Sequence, residues 1–459
     1  MNDLSMIPFA LSLVVCAASL LLLQKRVMVG IPATILTIPA LVFSWIYFIV
    51  VPAANVFFDV YVDEALFLEE PIHSFTRLNL FNAALLLLAS LGAFLVRANP
   101  RKSGTELDFS VVVPGLSILL VTQVVLGVYT IFISGNLLRE SSRGELGASL
   151  VQYAFFESAP LAFCWLVTSY LAWKNIRPSR YVVAGLLLTE LLLVILLSSS
   201  RGSRVAMLSQ LMFCAMIFHY SLYRFKFRDF VVAGLACALL LPIYANYKYA
   251  GWEGLQEYVT GGRTSIVAEQ YNDPVLFLVG DIGRADMQAP LLDRYLDGKF
   301  TANYIGESYI ATLTLFLPRD WRPESIRSKA VLGAEAQLQP GASASGYRGV
   351  ISVDGVFQSS RIYGLFGEAL INFGLPALPI VFFLFGYIFR WCFLRLGSIT
   401  TWRHLLTAPY LAFLPIFLLF YDSDNILIQT VSVWLVPAAA VATCERLFGR
   451  RRALAPASL

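Results

Sequence analysis

Eleven apolar stretches, most of them near membrane-spanning length, punctuate this chain and leave it few ways to fold. They run over 6–23, 27–52, 78–96, 109–133, 149–172, 181–198, 205–220, 230–247, 364–389, 405–421 and 426–444. A helix that crosses a bilayer needs about 20 mostly apolar residues. In lipid every backbone polar group must be satisfied within its own segment, so helices are the expected form. Of the 459 residues, 58% are hydrophobic and only 14% charged, against roughly 25% charged in a soluble domain. There are too few charges to cover a globular surface, which excludes soluble, disordered and fibrous classes. The expected fold is an all-α polytopic integral membrane protein of about 11 transmembrane helices. Helices 1 to 8 occupy 1–247, a large and partly helical segment 248–363, helices 9 to 11 occupy 364–444, and a basic tail 445–459. Prolines within the stretches (Pro32, Pro39, Pro114, Pro160, Pro242, Pro376, Pro379, Pro415, Pro437) predict bent helices.

Orientation follows from Lys and Arg in the short connections. Alternate connections hold Lys25 and Arg26; Arg97, Arg101 and Lys102; Lys174, Arg177 and Arg180; Arg224, Lys226 and Arg228; Arg390, Arg395 and Arg403; and Arg446 with Arg450 to Arg452. These are 18 of the 34 bases; the short loops of the other parity hold Arg77, Arg139, Arg143, Arg201 and Arg204. The bias puts the amino terminus and segment 248–363 on the outer face, and the carboxyl terminus in the cytosol. The first stretch is expected to be a retained span rather than a cleaved signal peptide, because Met1–Ser5 carries Asp3 and no base.

Cys16, Cys164, Cys214, Cys237, Cys392 and Cys444 lie in or at the ends of stretches without C-x-x-C spacing. They read as small core residues, not as a disulfide framework or a zinc site. His73, His219 and His404 are scattered, and no repeat, P-loop or dinucleotide fingerprint occurs. The net charge of +4 is accounted for by the cytosolic flanks, consistent with anionic lipid rather than nucleic acid.

The informative charges are those on the face expected to be poor in bases. Ser198-Ser-Ser-Arg201-Gly-Ser-Arg204 joins the sixth and seventh stretches so tightly that both arginines lie at the mouth of the bundle. They are either snorkelling anchors or an anion site, in which guanidinium forks grip a diphosphate while Gly and Ser donors approach it; the anion site is the favoured reading. Segment 248–363 balances 11 bases with 13 acids, so it is no polybasic surface. Within it, Met287, Leu291, Leu292, Tyr295 and Leu296 form one helical stripe opposite Arg284, Asp286, Asp293, Arg294 and Asp297, the pattern of an interfacial helix. Tyr309 to Leu317 carry no charge but are too few to span, which suits a re-entrant or surface segment. Beyond them Trp321 reads as an interface anchor, and Arg319 and Arg322 as its solvated neighbours or as part of the anion pocket.

Glu157, Glu190 and Glu368 fall inside stretches, where an ionised carboxylate is costly. Each is therefore a functional candidate, with pairing to an arginine as the alternative. Glu368 leads because it opens the stretch that follows the outer segment. Asp422-Ser-Asp424 and Asp63-Glu64 are acidic pairs that suit helix capping or a solvated loop better than a metal.

Taken together, Ser198 to Arg204, Leu317-Pro-Arg-Asp-Trp-Arg-Pro323 and Gly364-Leu-Phe-Gly-Glu-Ala-Leu-Ile-Asn-Phe-Gly374 resemble the O-antigen and oligosaccharide repeat-unit polymerases, the Wzy family. In that family the Pro-Arg segment is often followed by Trp and a Lys-Pro pair. Here Arg322 stands at that lysine's place, with Arg327 and Lys329 further on. The resemblance implies a GT-C-like glycosyltransferase of the bacterial inner membrane with its active face periplasmic. Donor and acceptor would both be undecaprenyl-diphosphate-linked glycans, a chain-length regulator a possible partner, and the product O-antigen or exopolysaccharide for lipopolysaccharide or related surface glycans.

That chemistry fits the residues. Arg201 and Arg204 stabilise charge on the departing diphosphate, so neither metal nor cofactor is expected and the transfer is expected to invert. Glu368 is the expected proton acceptor, with Asn372 one turn on as its companion. Arg284, Arg319 and Arg322 are expected substrate ligands, with Asp281 and Glu307 in reserve. An O-antigen ligase of similar architecture is expected to use a histidine in the large outer loop, and 248–363 has none. A lipid-linked oligosaccharide flippase or other transporter would explain intramembrane glutamates, but secondary transporters usually carry internal repeats.

Overall fold

The computed structural model describes residues 3–31, 33–61, 66–67, 70–97, 109–134, 155, 158–194, 204–226, 228–229, 256, 260, 274–300, 304–315, 317, 321, 323, 326–338, 350–353, 356–359, 361–397 and 402–448. These residues are almost all helical, with one short antiparallel hairpin, β1 (Val350–Val353) and β2 (Val356–Ser359), in which Val350 faces Ser359. Among the described residues five helices are long and apolar enough to cross a membrane: Ser5–Met28, Ile38–Phe58, Pro71–Leu95, Ala377–Leu396 and Ser423–Leu447. The protein is thus membrane-embedded in character. Stretch 230–247 lies outside the described residues.

The chain forms two compact units. The first comprises Met1–Pro100, Asp273–Gly397 and Leu411–Leu427, and the second Arg101–Asn272, Ser398–Tyr410 and Ile428–Leu459.

In the first unit, α1 is Asp3–Met28, α2 Ile38–Phe58 and α3 Pro71–Leu95. The expected span 27–52 is displaced: α1 stops at Met28, Gly30 turns the chain at φ 73°, and α2 starts with Pro39 in its first turn. Hydropathy cannot see that boundary because its glycine and prolines are themselves apolar. Within α2 a π turn over Ile46–Val50 precedes Pro52. Proline has no N–H for the carbonyl four residues back, and the Cys16 thiol on α1 points at that carbonyl, Phe48 O, at 3.9 Å.

Segment 248–363 contributes α8 (Pro274–Phe277, continued by a π turn over Leu278–Ile282), α9 (Ala285–Leu296), α10 (Glu307–Thr314) and α11 (Lys329–Gln337) to this unit. The α9 helix starts as its stripe predicts, yet it is no interfacial helix, because its polar side is buried too. Asp293 accepts from Ser74 and from Arg77 at 2.9 Å, and Arg294 donates to the Ala336 and Leu338 carbonyls at 3.0 Å each. A buried charge is tolerated where it is paired and hydrogen-bonded, which periodicity does not report. By contrast α10 leaves Ile310 and Leu313 exposed, and Trp321 is 73% exposed.

The expected single span 364–389 is two helices. Gly374 (φ 74°) ends α12 (Gly364–Phe373), Pro376 follows, and α13 begins at Ala377 and runs to Leu396. Ten residues extend about 15 Å, so α12 does not cross a bilayer. Against α3, α13 packs backbone to backbone: a Cβ at Gly92 or at Gly386 would overlap a carbonyl of the opposite helix, Phe383 O or Ala89 O. Small residues permit that approach in membrane helix pairs.

The second unit holds α4 (Phe109–Ser134), α5 (Ala159–Trp173), α6 (Arg180–Leu193) and α7 (Arg204–Ser221). Ser179 caps α6, and Gln123 on α4 donates to the Phe155 carbonyl at 2.8 Å. Helix α14 (Trp402–Phe420) and the helix α15 (Ser423–Thr430, then a π turn and Val436–Phe448) each contribute residues to both units.

Candidate functional site

In the first unit the start of α12, the start of α15, α10 and α11 converge on Glu368. Its side chain projects from the second turn of α12 and the residue is 4% exposed. Its Oε1 accepts from the Ser308 hydroxyl at 2.7 Å and the Ser423 hydroxyl at 2.6 Å, while Oε2 accepts from the Ser423 backbone N–H at 2.7 Å. Thr312 continues this chain to Ser423 at 2.8 Å. One turn on, Asn372 brackets Ser308, donating to its hydroxyl at 2.8 Å and accepting from its backbone N–H at 3.1 Å.

Asp422, fully buried, mirrors Glu368. Its Oδ1 accepts from the Tyr363 and Gly364 backbone N–H groups at 2.9 and 2.8 Å, the open end of α12. Its Oδ2 accepts from Lys329 Nζ at 2.6 Å, and that ammonium also lies 3.3 Å from Asp424. Gly364 sits at φ 65°, and a Cβ there would overlap the Leu419 carbonyl, so glycine lets the helix start this close to the α14–α15 turn. The two acids are offset by one lysine and by two helix N-termini, each worth about half a positive charge.

Burial, and next the charge of Asp422, push the Glu368 carboxyl up to about 7, against the Ser423 and Ser308 donors that favour its ionised form. Burial alone would lower the Lys329 ammonium, but the Asp422 and Asp424 carboxylates outweigh it and hold the amine well above its usual range. The arrangement is a carboxyl poised near neutral pH, in hydrogen-bond contact with two serine hydroxyls and beside a fixed positive charge. Chemically it can take a proton from a hydroxyl at Glu368, while Lys329 is committed to Asp422 and Asp424.

Glu307, next to Ser308, is held by Arg327, whose backbone N–H and guanidinium both reach it, the latter at 3.0 Å. Arg327 outweighs burial there and keeps the carboxyl below its ordinary value, so Glu307 is a fixed anion. Arg284 is turned to main-chain carbonyls, Gly283 O at 2.7 Å, Gly280 O at 3.1 Å and Phe420 O at 3.4 Å, with its guanidinium over the Phe420 ring. Of the other expected ligands, Arg201, Arg319 and Arg322 lie outside the described residues, as do Glu157, Asp63 and Glu64. Arg204 opens α7 and Asp281 sits in the π turn after α8, the side chains of both being outside the described set.

The structure therefore gathers Glu368, Asn372 and Glu307 around Ser308, and adds Lys329, Ser308, Ser423 and Asp422, which the sequence did not rank. Asp422 takes the helix-capping role expected of it, at the start of α12, while Lys329 occupies the position between Asp422 and Asp424, so the pair is neither a solvated loop nor an open metal pair. The one sequence signal was the acidic pair itself: a buried Asp-x-Asp demands a countercharge, although nothing in spacing points to Lys329. Comparison with protein-family models, with curated proteins and with solved structures finds no match to this chain.

Proposed function

We propose that the protein is a membrane glycosyltransferase that polymerises undecaprenyl-diphosphate-linked oligosaccharide repeat units. In this reading it is a GT-C-like bundle of about 11 spans in a bacterial inner membrane, working at the periplasmic face. The observation that supports it best is Glu368: a buried carboxyl lifted to about 7, ringed by hydroxyl donors, where outer-segment helices meet the start of α12.

The transfer proceeds by attack of an acceptor sugar hydroxyl on C1 of the donor glycan. Glu368 takes the hydroxyl proton, the new C1–oxygen bond forms with inversion, and the bond from C1 to the carrier diphosphate breaks. The electron pair leaves on the diphosphate oxygen, whose growing charge a cationic donor must stabilise; Arg201 and Arg204 are the candidates that the sequence offers. Asn372 and Ser308 fix the Glu368 carboxylate in place, and Asp422 with Lys329 sets the local field. No metal takes part in these steps.

Purified protein in liposomes, given lipid-linked repeat units in the presence of chelator, is expected to produce a ladder of longer glycans that Glu368→Gln abolishes. Cells lacking the protein are expected to carry a single repeat unit on lipid A core. Free undecaprenyl-linked polymer in those cells would instead identify a ligase, and repeat units accumulating at the cytosolic face a flippase; either result overturns the proposal.

A further inference from the structure

Three helices of the second unit bring three ligating side chains to one point. Cys164 comes from α5, Glu190 from α6 and Cys214 from α7, and all three are fully buried. One ligand atom from each, the two Sγ atoms and a carboxyl oxygen, lies within 4.8 Å of the other two. By geometry neither oxygen of Glu190 closes a hydrogen bond, and the polar neighbour that acts on it is the Cys214 thiol. Buried polar groups are rarely left so, and an unpaired carboxyl in apolar surroundings costs several kcal/mol. The Cys164 thiol makes only a long approach to the Cys214 carbonyl, at 4.0 Å. Cysteines 50 residues apart in different helices carry no spacing motif, so the reading of both as plain core residues missed this convergence.

We infer that Cys164, Glu190 and Cys214 form a binding site for a thiophilic divalent cation of the Zn²⁺ class. Two sulfurs and one carboxylate are the donors such an ion prefers, whereas Ca²⁺ and Mg²⁺ require six or more oxygens. Around a tetrahedral Zn²⁺ with Zn–S bonds of about 2.3 Å, ligand atoms stand roughly 3.5 to 3.8 Å apart. The three ligand atoms, now within 4.8 Å of one another, would draw together to that range on binding. Loading one divalent cation onto two thiolates and one carboxylate releases three ligand protons and leaves a single net negative charge on the cluster, against three for the bare anions. Three protein ligands leave a fourth position for a water or another small donor. The cation would tie α5, α6 and α7 together and give the Glu190 carboxylate a direct countercharge. This site is separate from the Glu368 cluster and does not depend on the transferase reading.

The test uses the full chain, purified in detergent under reducing and anaerobic conditions and titrated with Co²⁺. Wild type is expected to develop thiolate-to-cobalt absorption in the near ultraviolet and the visible bands of tetrahedral Co²⁺. Both should saturate at one ion per chain and be displaced by Zn²⁺. Cys164→Ser/Cys214→Ser is expected to lose the near-ultraviolet band. Glu190→Gln is expected to keep that band and bind about tenfold or more weakly. Cys16→Ser/Cys392→Ser, which leaves the three ligands intact, is expected to bind as wild type. Absence of the band in wild type, its persistence in Cys164→Ser/Cys214→Ser, or a Cys164–Cys214 disulfide found by mass spectrometry of the freshly purified protein would each overturn the inference.

Discussion

Glu368 and Asp422 exchange helix ends: each carboxylate caps the helix that follows or carries the other. Asp422 accepts the backbone N–H groups of Tyr363 and Gly364, where the helix bearing Glu368 begins, and Glu368 accepts that of Ser423, the residue after Asp422. A carboxylate at a helix N-terminus satisfies orphan donors and meets the positive end of the dipole. The exchange holds two acids close together without solvent, and Lys329 supplies the remaining countercharge.

Removing Asp422 should therefore damage structure before chemistry. Asp422→Ala leaves Lys329, whose side chain is 16% exposed, without its nearest anion and uncaps α12. Breaking a buried pair from one side costs about 3–5 kcal/mol. Thermal unfolding in detergent is expected to shift down strongly, with the Lys329→Met/Asp422→Leu double variant recovering part of the loss. A double variant no better than Asp422→Ala would show that the backbone N–H contacts, not the ion pair, carry the effect.

The Glu368 carboxyl should make stability and turnover respond to pH in opposite directions. An acid whose folded pKa is raised stabilises the fold below its unfolded value and loses that contribution as pH climbs through the folded one. From its ordinary value near 4.5 to about 7, unfolding free energy is expected to fall by about 3 kcal/mol. Glu368→Gln should flatten this slope. Chain extension, which needs the ionised base, should rise across the same interval with a midpoint near 7; an extension rate independent of pH from 5 to 8 would remove Glu368 from the role of base.

Truncation of the acceptor network should separate positioning from proton transfer. Glu368→Gln is expected to lower the extension rate by about 10²-fold or more, with normal accumulation in the membrane. Asn372→Ala, which frees Ser308, is expected to cost less and to leave the midpoint of the pH profile in place.

Arg201→Lys and Arg204→Lys preserve charge but lose the bidentate fork. Each variant is expected to accumulate in the membrane yet yield short glycans. Full-length polymer from both would withdraw the diphosphate assignment.

Glycine should be obligatory where α3 meets α13. Gly92→Ala or Gly386→Ala drives a methyl group into an opposing carbonyl, and overpacking of this kind costs about 1–3 kcal/mol, occasionally more. Gly185→Ala, with nothing near its Cβ position, is the matched control and is expected to leave the melting temperature unchanged or slightly raised.

Much of the helical layout was legible because long apolar runs have few alternative structures: α4 and α14 lie within three residues of their predicted bounds, while α1 runs five residues past its predicted end and α3 starts seven residues before its predicted start. The errors fell where the terminator is itself apolar or neutral to hydropathy, as at Gly30 and at Gly374 with Pro376. Glu368 and Asn372 were legible from the cost of a carboxylate in an apolar stretch and the helical repeat. Lys329 and the buried side of α9 were not, since burial of a charge depends on a partner distant in sequence: Asp422 lies 93 residues from Lys329 and Asp293 lies 216 from Arg77. Arginine was the least readable type. Arg284, Arg294 and Arg390 all donate to carbonyls at helix ends, Phe420 O, Ala336 O and Val27 O, and in sequence such a residue looks the same as one waiting for an anion.

The close approach of α3 and α13 also bears on traffic in the bilayer. Where two backbones touch at Gly92 and Gly386 there is no crevice for a hydrocarbon chain. In the proposed reading, a carrier lipid that delivers its headgroup toward Glu368 would have to thread its tail past some other pair of helices. Crosslinkers placed along the α3–α13 seam should stay blind to a photoreactive prenyl chain, while the same probes walked around the rest of the bundle would mark the entry gate.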